Sequence, residues 1–540
     1  MEPDSHLTTH EVTNQPPLRG DVDLWANDPV LRDAIRRAGG QAGPLADYGA
    51  ALGRAEAREA AREANRLAPE LRQFDRGGRR LDEVHFHPAW HRFMSASLGA
   101  GYSAIAWEAA PGGHASHAAM VYLASQVEPG HCCPLTMTYA AVPVLAAQGG
   151  SGGMGDWRAR ALSRAYDPSV APMAAKAGVT IGMAMTEKQG GSDVRANTTR
   201  AMRDGGDWRL RGHKWFCSAP MSDAFLTLAQ APGGPTCFLV PRWLEGARNP
   251  IRLMRLKDKL GNRANASAEI EYEDALALQL GDEGDGIRTI LGMVHHTRLD
   301  TAMAPAGLMK AALDEALHWT RHRSAFQRRL IDQPLMRAVL ADLVLDWIGA
   351  LTLGLRVAQS FDSQDEAGRA FARIGVALAK FLSNKRCPVV VAEAMEVLGG
   401  MGYVEETPLT LLYREAPLNG IWEGSGNVIC LDILRTLGRD PAAAAALRDE
   451  IAAAKGADRR FDAALAAHLS RWPALPAEGE ARWFAERTAL LLTASVLLRR
   501  AAAAVADAFV ATRLDEGGHL PGAIAADRID TGSLLALLPG

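Results

Sequence analysis

Aromatic residues and excess charge are both scarce in this chain of 540 residues. Phe, Trp and Tyr make up 6% of the sequence, and the formal net charge at pH 7 is −3. A near-neutral chain has no general attraction to nucleic acids or to anionic membranes. Hydrophobic residues account for 48% and charged residues for 22%, as in globular proteins. The length predicts several domains, because a single core rarely serves so many residues.

The sequence also lacks the cysteine pattern of a disulfide scaffold and the long apolar run of a membrane span. Six cysteines are present without a C-x-x-C pair, and adjacent cysteines such as Cys132 and Cys133 rarely bridge each other. We therefore expect reduced thiols and a cytoplasmic location. Residues 1–17 are polar and do not resemble a signal peptide. Because the longest mostly apolar run, residues 489–498, is about half of the ~20 residues that a spanning helix needs, we predict a soluble protein without a membrane partner.

No complete metal-binding motif is found. Residues 85–91 contain three histidines, but no cysteine or paired carboxylate completes the set, and Pro88 is expected to break a helix that would align the rings. His318 and His322 have the i, i+4 spacing without the Glu of a His-Glu-x-x-His motif. We predict no metal and interpret both groups as parts of a surface.

The hydrophobic pattern changes its period along the chain. Helical spacing marks residues 31–176, and short alternating runs between Gly-rich turns mark residues 179–282. Helical spacing returns at Gly286 and again from Pro441. The pattern predicts a mainly α protein with a small central β domain. The predicted domains are helical 1–178, β 179–284, helical 285–440 and an extra C-terminal helical segment 441–540.

Glu423 lies between Trp422 and Gly424, shortly after the Gly-rich segment 398–403. A carboxylate in an apolar cleft can act as a base, because desolvation raises its pKa toward the working pH. An indole beside small residues is a wall against which a flat ring can lie. A lone Trp-Glu-Gly would nevertheless more often be a solvated loop.

Two upstream segments strengthen this interpretation. Residues 185–193 end an apolar run in a Thr/Gly/Gly/Ser loop, whose N–H and hydroxyl groups suit a phosphate or a polar ring edge. Residues 212–218 end an alternating run in two aromatic residues and a hydroxyl. Read singly, either segment could be an ordinary turn.

In this order and at this spacing, the three segments resemble the acyl-CoA dehydrogenase family of flavoproteins. The usual forms there are Met-Thr-Glu-Pro-Gly-Ala-Gly-Ser-Asp, Lys-x-Trp-Ile-Ser/Thr and Tyr-Glu-Gly-Thr. Residues 188–190, residues 422–427 and the long tail are similar to the alkylation-response, AidB-type branch. Residues 14–16, 79–82 and 86–91 also match that branch.

The resemblance implies a helical N-terminal domain, a β-barrel-like middle domain and a four-helix C-terminal domain, with FAD between them. FAD would supply the electron sink for hydride transfer, which no side chain can provide. Since family members stop soon after the catalytic Glu, a tail of about a hundred residues implies a fourth, helical domain. The residues implied at the cofactor are Met185, Thr186, Gly191, Ser192, Trp215, Phe216, Cys217, Ser218, Arg323, Phe326, Gly400, Trp422, Gly424, Ser425 and Asn427.

The resemblance also assigns roles around the substrate and between subunits. Glu423 would take the α-proton of an acyl-CoA thioester while hydride leaves the β-carbon. Arg298 matches a family arginine that could tune Glu423, although an ion pair with Asp300 on a helix surface explains it equally well. Arg323 and Phe326 match Arg-x-x-Phe-Gly, which reaches the FAD of a neighbouring subunit and implies at least a dimer. The family norm is a homotetramer.

Two departures fall in flavin-contacting motifs. Lys188 replaces a proline and Gln327 replaces a glycine, so both loops are expected to differ in shape. No feature of the sequence argues specifically for coenzyme A recognition.

The AidB-type resemblance further implies that the C-terminal segment binds double-stranded DNA and protects it from alkylation. Residues 441–540 contain 11 Arg plus Lys against 12 Asp plus Glu, so charge gives this only weak support. Arg448, Lys455 and Arg459 follow one another at helical offsets of 7 and 4, with Arg435 just upstream. A solvated helix face or an oligomer contact explains these positions equally well.

We therefore predict an FAD-dependent acyl-CoA dehydrogenase-like flavoprotein with weak α,β-dehydrogenation of short or branched acyl-CoA and a role in the response to DNA alkylation. One alternative is a metabolic acyl-CoA dehydrogenase or oxidase without a DNA role. Another is a DNA-binding protective protein in which the flavin is mainly structural.

Overall fold

The computed structural model describes residues 3–538, and its first part is helical. The helices of this part are α1 (Pro29–Ala38), α2 (Ala42–Leu52), α3 (Ala55–Arg66), α4 (Pro88–Ala100), α5 (Gly113–Ser125), α6 (Cys132–Ala146) and α7 (Met154–Ala161). Pro88 begins α4 instead of breaking a helix, since proline is tolerated at the first helical position.

An antiparallel hairpin interrupts this helical region. Its strands are β1 (Glu70–Phe74) and β2 (Arg80–His85). The predicted helical spacing missed the hairpin, because the period of two in β2 buries only Asp82 and Val84 within a run of charged residues. The turn is closed by Asp75, whose carboxylate accepts hydrogen bonds from the N–H groups of Gly77 and Arg79 at 2.8 and 2.9 Å.

The middle of the chain forms a seven-stranded sheet. Its strands, with the short β8 and β9 that pair separately, are β3 (Ile181–Ala184), β4 (Arg200–Asp204), β5 (Asp207–Ser218), β6 (Ala224–Ala231), β7 (Gly234–Pro241), β8 (Trp243–Leu244), β9 (Ala247–Arg248), β10 (Ile251–Leu256) and β11 (Ser267–Leu280). The order is β10-β11-β5-β4-β6-β3, and β7 pairs with both β11 and β6. The ring β11-β5-β4-β6-β7 is thereby closed around an apolar interior, which confirms the β-barrel-like fold.

A bundle of long helices follows the barrel. Its elements are α8 (Gly286–His322), the hairpin β12 (Ser324–Ala325) and β13 (Arg328–Arg329), α9 (Pro334–Phe361), α10 (Glu366–Val397), α11 (Leu409–Glu415) and α12 (Gly426–Arg439). α8, α9, α10 and α12 are the four main helices, in agreement with the predicted four-helix arrangement. Helix α9 is long and apolar enough to span a membrane, but 89% of its most apolar window is buried inside the protein. The longest apolar run is therefore in α9, and residues 489–498 were wrongly identified as such; α9 is the central helix of the core.

The C-terminal segment is helical, as predicted. Its helices are α13 (Pro441–Ala452), α14 (Arg459–Arg471), α15 (Ala481–Arg500), α16 (Ala503–Val510) and α17 (Thr531–Leu535). Its apolar residues belong to the same core cluster as those of α8, α9 and α10. A Cβ placed on Gly349 of α9 would lie 3.1 Å from Phe509 and 3.2 Å from Thr493, so the tail approaches the bundle as closely as side chains allow.

Partly buried ion pairs reinforce this contact between tail and bundle. Arg513 lies 2.6 Å from Asp342 and 3.1 Å from Asp346, both on α9. Glu450 of α13 lies 2.6 Å from Arg356 of α9 and 2.5 Å from Arg499 of α15. The tail is thus an integral layer of the helical part of the molecule.

Candidate active site

Glu423 stands in a tight turn between α11 and α12. Its φ is 56° and that of Gly424 is 101°, so two successive residues adopt the left-handed conformation. Such a conformation is costly for a non-glycine residue and persists only where the surroundings impose it. Trp422 helps to impose it by donating its indole N–H to Asn419 Oδ1 at 2.7 Å. The turn therefore directs the Glu423 carboxylate in a fixed orientation.

The carboxylate of Glu423 contacts helix α8. Thr297 Oγ1 donates a hydrogen bond to Glu423 Oε2 at 2.7 Å. Burial raises the pKa of Glu423 above its ordinary value, and the Thr297 hydrogen bond with the charges of Arg298 and Lys380 opposes this rise in part. Within residues 3–538, the backbone N–H of Glu423 makes no hydrogen bond to another protein group. A carboxylate with a raised pKa and a free neighbouring N–H is suited to proton transfer.

Lys380 of α10 lies beneath this turn and is 1% exposed. Its ammonium group donates to Asn419 O and to Gly424 O, each at 2.9 Å, and so joins both sides of the turn. Burial lowers the pKa of Lys380 to about 7, although the carboxylate of Glu423 favours its charged form. Lys380 is thus a buried group whose hydrogen bonds go to the turn of Glu423 and whose charge acts on that carboxylate.

Arg298 is held beside Glu423 by the carboxylate of Asp432. Its Nη1 lies 2.7 Å from Asp432 Oδ2, and its Nε donates to Glu423 O at 3.4 Å. The alternative of a surface ion pair between Arg298 and Asp300 is wrong, because Asp300 is buried and its Oδ1 lies 2.7 Å from His117 Nε2. Arg373 also contacts Asp432, at 2.8 Å. Arg298 therefore remains a predicted tuning residue for Glu423.

The loop of residues 185–193 is tied to strand β5 by a fully buried ion pair. Lys214 Nζ lies 2.8 Å from Glu187 Oε1, and both side chains are 0% exposed. The carboxylate also accepts the N–H groups of Thr198 at 2.6 Å and Thr199 at 3.1 Å. Burial opposes ionisation, but Lys214 and these donors lower the pKa of Glu187 to about 2.

Two predicted motifs are brought together at this point. The N–H of Trp215 donates to Thr186 O at 2.8 Å. A Cβ placed on Gly191 would meet Thr186 Oγ1 at 2.3 Å, so this close approach requires glycine. The loop therefore follows the end of β5 in contact with it.

The residues predicted around the cofactor at the end of β5 differ in burial. Phe216 is 47% exposed, and Trp215 and Ser218 are half-buried. Cys217 is 0% exposed and belongs to the barrel interior. The Cys217 side chain therefore faces the barrel interior, next to a β-bulge in which Trp215 and Phe216 together oppose Glu269 of β11, and its place at the cofactor stays a prediction.

The catalytic turn and the loop meet at one apolar cluster. Met185 and Trp422 both pack against it, and Cys133 of α6 is one of its buried members. Burial raises the pKa of Cys133 to about 11, while a hydrogen bond to Ser218 lowers it and the charge of Glu423 raises it. Met185 and Trp422 therefore pack against one cluster, and its member Cys133 interacts with Ser218 and Glu423.

The surface that these segments form fits a flavin. An exposed Phe216 ring beside Trp215 offers an aromatic wall. The hydroxyls of Thr186 and Ser192 make no hydrogen bond to any other residue between 3 and 538, so both are available to a polar ligand. Gly400 is exposed, and a Cβ there would meet no atom within 4 Å, which leaves open space at that edge.

The hairpin after α8 presents Phe326 to the outside. Its ring is 92% exposed, and its φ is 53°. Gln327 has a φ of 63°, the region that glycine occupies most readily, so the side chain that replaces glycine here sits in a strained backbone. Arg323 is bound within its own chain, where its Nη1 donates to Asn14 O at 2.8 Å.

Ser425 and Asn427 lie exposed at the start of α12. Asn427 Oδ1 accepts a hydrogen bond from Arg482 of α15 at 3.0 Å, so the tail reaches the predicted cofactor site. The sequence analysis missed Arg482, and it also missed Thr297 and Lys380. A lone lysine inside the apolar run of residues 374–382 was the available signal for Lys380.

The basic residues predicted to bind DNA do not share one helix. Arg448 is on α13, Lys455 lies beyond its end at Ala452, and Arg459 begins α14, so the helical offsets of 7 and 4 do not describe their arrangement. All three are exposed and make no ion pair with another residue between 3 and 538. Arg435 is 61% exposed and 3.9 Å from Asp432. A separate question is whether the protein has a metal site. Within residues 3–538, no group of three or more His, Cys, Asp or Glu side chains is placed to hold a metal ion.

Comparison with protein families gives three consecutive matches. The N-terminal domain of the adaptive response protein AidB matches residues 14–168. The middle domain and the C-terminal domain of acyl-CoA dehydrogenases match residues 182–275 and 284–438.

Individual relatives agree with these matches. A putative acyl-CoA dehydrogenase AidB of Escherichia coli (strain K12) is 45% identical over 522 residues, which cover 95% of this chain and 96% of the relative. The crystal structure of Caenorhabditis elegans ACDH-11 in complex with C11-CoA superimposes with a TM-score of 0.83 at 26% identity, covering 95% of this chain and 92% of that one. An acyl-CoA dehydrogenase complexed with FAD from Bacillus anthracis shares the fold, with a TM-score of 0.61 at 17% identity over 78% of this chain and 77% of that one. The chain therefore belongs to the acyl-CoA dehydrogenase family, in its AidB-type branch, and is an FAD-dependent oxidoreductase.

Proposed function

We propose that this protein oxidises the Cα–Cβ bond of a short or branched acyl-CoA, with Glu423 as the base. The observation that carries the proposal is the position of Glu423. Burial raises the pKa of its carboxylate, and its turn packs against the same apolar cluster as the loop of residues 185–193. The bound C11-CoA of the C. elegans structure supports a thioester substrate. When bound, FAD supplies the acceptor for the hydride that leaves the β-carbon.

The residues of the chain divide the work of proton removal. Glu423 takes the α-proton, which is only weakly acidic until the thioester carbonyl is polarised. The free backbone N–H of Glu423 is a donor for that carbonyl oxygen, because no protein group between residues 3 and 538 accepts it. Thr297 orients the carboxylate through its hydrogen bond of 2.7 Å. Glu187 and Lys214 keep the cofactor loop against β5.

Lys380 acts as a positioning residue in this proposal. Its two hydrogen bonds fix the carbonyls on either side of Glu423, and its charge favours the ionised carboxylate. Without Lys380, the carbonyls of Asn419 and Gly424 would each lose a hydrogen bond, and the free energy of folding would become less favourable by about 1–3 kcal/mol for each. The lysine thus holds the base in place and favours its ionised form.

We further propose a homotetramer in the cytoplasm. Phe326 supports contact with a neighbouring subunit, because it is 92% exposed and matches the family position that reaches the FAD of a neighbouring subunit. Six free cysteines, all of them buried, support a reducing compartment.

DNA binding in the alkylation response is the second function that we propose, by similarity to the adaptive response protein AidB. The side chains of Arg448, Lys455 and Arg459 are exposed and make no ion pair among residues 3–538, so they are available to phosphate groups. Their neighbours Asp449, Asp458 and Asp462 limit the local positive charge, so the contact would be modest.

Replacing the proposed base tests the chemistry. In Glu423→Gln, the amide has no proton affinity, and we expect reduction of bound FAD by isovaleryl-CoA or butyryl-CoA to slow by about 10²-fold or more. The measurement is stopped-flow loss of flavin absorbance under anaerobic conditions. Glu406→Gln, which changes an exposed carboxylate outside the predicted site, is the control and should reduce at the wild-type rate. Equal rates in wild type and Glu423→Gln would exclude Glu423 as the base.

Two substitutions of Lys380 separate its charge from its hydrogen bonds. Both Lys380→Met and Lys380→Gln remove the cation that lowers the pKa of Glu423, so the rise of the flavin reduction rate with pH should move to higher pH in both. Only Lys380→Met loses the donors to Asn419 O and Gly424 O, so it should also reduce flavin about tenfold more slowly than Lys380→Gln at high pH. A pH profile that matches wild type in both variants would contradict the proposed role.

The DNA proposal is tested by neutralising the exposed basic residues, because removal of the whole tail would expose the shared core. In the triple variant Arg448→Gln, Lys455→Gln and Arg459→Gln, the slope of log affinity against log salt should become shallower by up to about 3. Fluorescence anisotropy with a 30-base-pair duplex, at roughly 50–200 mM salt, measures it. The control neutralises the exposed residues Arg32, Arg76 and Arg92. Unchanged affinity and slope in the first variant would remove these residues from any DNA interface.

A further inference from the structure

A cavity of about 150 Å³ opens between α1, α9 and the C-terminal tail. None of the residues that line it belongs to the candidate active site. Its deep wall is formed by the buried side chains of Ile348, Leu355 and Val505. Val30 and Leu537 complete the apolar lining from the two ends of the chain.

The cavity exists because α15 and α16 do not form one continuous helix. α15 ends at Arg500 and α16 begins at Ala503, and the residues between them, Ala501 and Ala502, are too small to fill the gap. Ala34 of α1 faces the same space with another small side chain. A void of this size with apolar walls is large enough for a benzene-sized group.

Arginines surround the opening of the cavity. Arg37 is paired with Asp33 at 2.7 Å, and Arg356 is paired with Glu450 at 2.6 Å. Arg500 differs from both, because no carboxylate between residues 3 and 538 lies within ion-pair distance of it. Within residues 3–538, the Arg500 guanidinium has one hydrogen-bond partner, the neutral Gln359, whose Oε1 accepts from Nη1 at 3.0 Å.

The charge around Arg500 is unbalanced. Glu450 is shared between Arg356 and Arg499, so this single carboxylate serves two guanidinium groups next to Arg500. Burial, the nearby Arg356 and other surrounding arginines lower the pKa of Arg500 to about 10. An anion at the opening would receive charge-assisted hydrogen bonds from Arg500 and relieve this repulsion.

We propose that this cavity binds a short alkyl carboxylate, with the carboxylate on Arg500 and a chain of about six carbons against Ile348, Leu355 and Val505. The opening supplies the charge and the interior excludes water, which together favour an amphiphilic anion over a neutral alcohol or inorganic phosphate. The ligand would bridge α1, α9 and the break between α15 and α16. Its binding would therefore hold the tail to the bundle.

Binding of hexanoate to the full-length, FAD-loaded protein tests the site. Isothermal titration calorimetry should show saturable binding of hexanoate and at least about tenfold weaker binding of 1-hexanol and hexylamine, since both lack the anion. Hexanoate should raise the melting temperature, and hydrogen exchange should slow in residues 500–510. Inorganic phosphate alone should not bind measurably. Equal affinity for hexanoate and hexanol would overturn the assignment of the carboxylate to Arg500.

Two variants locate the ligand. Arg500→Gln should weaken hexanoate binding at least about tenfold and leave 1-hexanol binding unchanged. Ala34→Leu fills the cavity with a side chain that suits a helix, and should abolish binding of both compounds. The flavin spectrum and melting temperature verify that each variant is folded. Wild-type affinity for hexanoate in both folded variants would disprove the proposal.

A third variant distinguishes this site from the catalytic one. Glu423→Gln should bind hexanoate as wild type does, because Glu423 does not line the cavity. Loss of binding in Glu423→Gln, with retention in Arg500→Gln, would place hexanoate at the flavin and refute the second site.

Discussion

The interaction between Lys380 and the turn of Glu423 determines how the active site is built. A cation that is 1% exposed cannot be hydrated, so it must find its partners in the protein. Its hydrogen-bond partners are two backbone carbonyls of the turn, each at 2.9 Å, and its charge acts on the Glu423 carboxylate. The backbone strain at Glu423 persists because this lysine and Asn419 hold the turn from both sides. The pKa of Glu423 is raised and that of Lys380 is lowered to about 7, and each group favours the charged form of the other.

The part of the site predicted to bind the flavin is also held by a buried charged group whose partners lie in the protein. Glu187 and Lys214, both fully buried, hold the loop of residues 185–193 to β5 in the way that Lys380 holds the turn. Breaking such a pair would strand a charge away from water, which makes the loop geometry hard to change. The tail adds a third layer, since it shares the core of the bundle and carries Arg482 to Asn427. Cofactor site and tail are therefore parts of one packed structure.

Much of this could be predicted from the sequence, because local patterns encode it. The alternation of residues 208–211 belongs to β5, and helical spacing correctly began again at Gly286 and Pro441. The order of the three motifs identified the family. Contacts between distant residues could not be predicted. Thr297 looks like an ordinary helix position, and the lone lysine in residues 374–382 signals a buried cation without showing its partners until α10 is packed against the turn. The inward position of Cys217 could not be predicted from a period of two, because a bulge at Trp215 and Phe216 interrupts that period in β5. The prediction that Arg448, Lys455 and Arg459 lie at helical offsets was wrong because α13 ends between Arg448 and Lys455.

The central claim is that Glu423 is a base with a raised pKa, coupled to Lys380. Infrared difference titration of the FAD-loaded protein, with Glu423→Gln subtracted to assign the carboxyl band, measures that pKa directly. We predict that the protonated band of Glu423 persists above its ordinary pKa of 4.5, and persists to still higher pH in Lys380→Met. A band that disappears at or below pH 4.5, with the same midpoint in both proteins, would contradict this account.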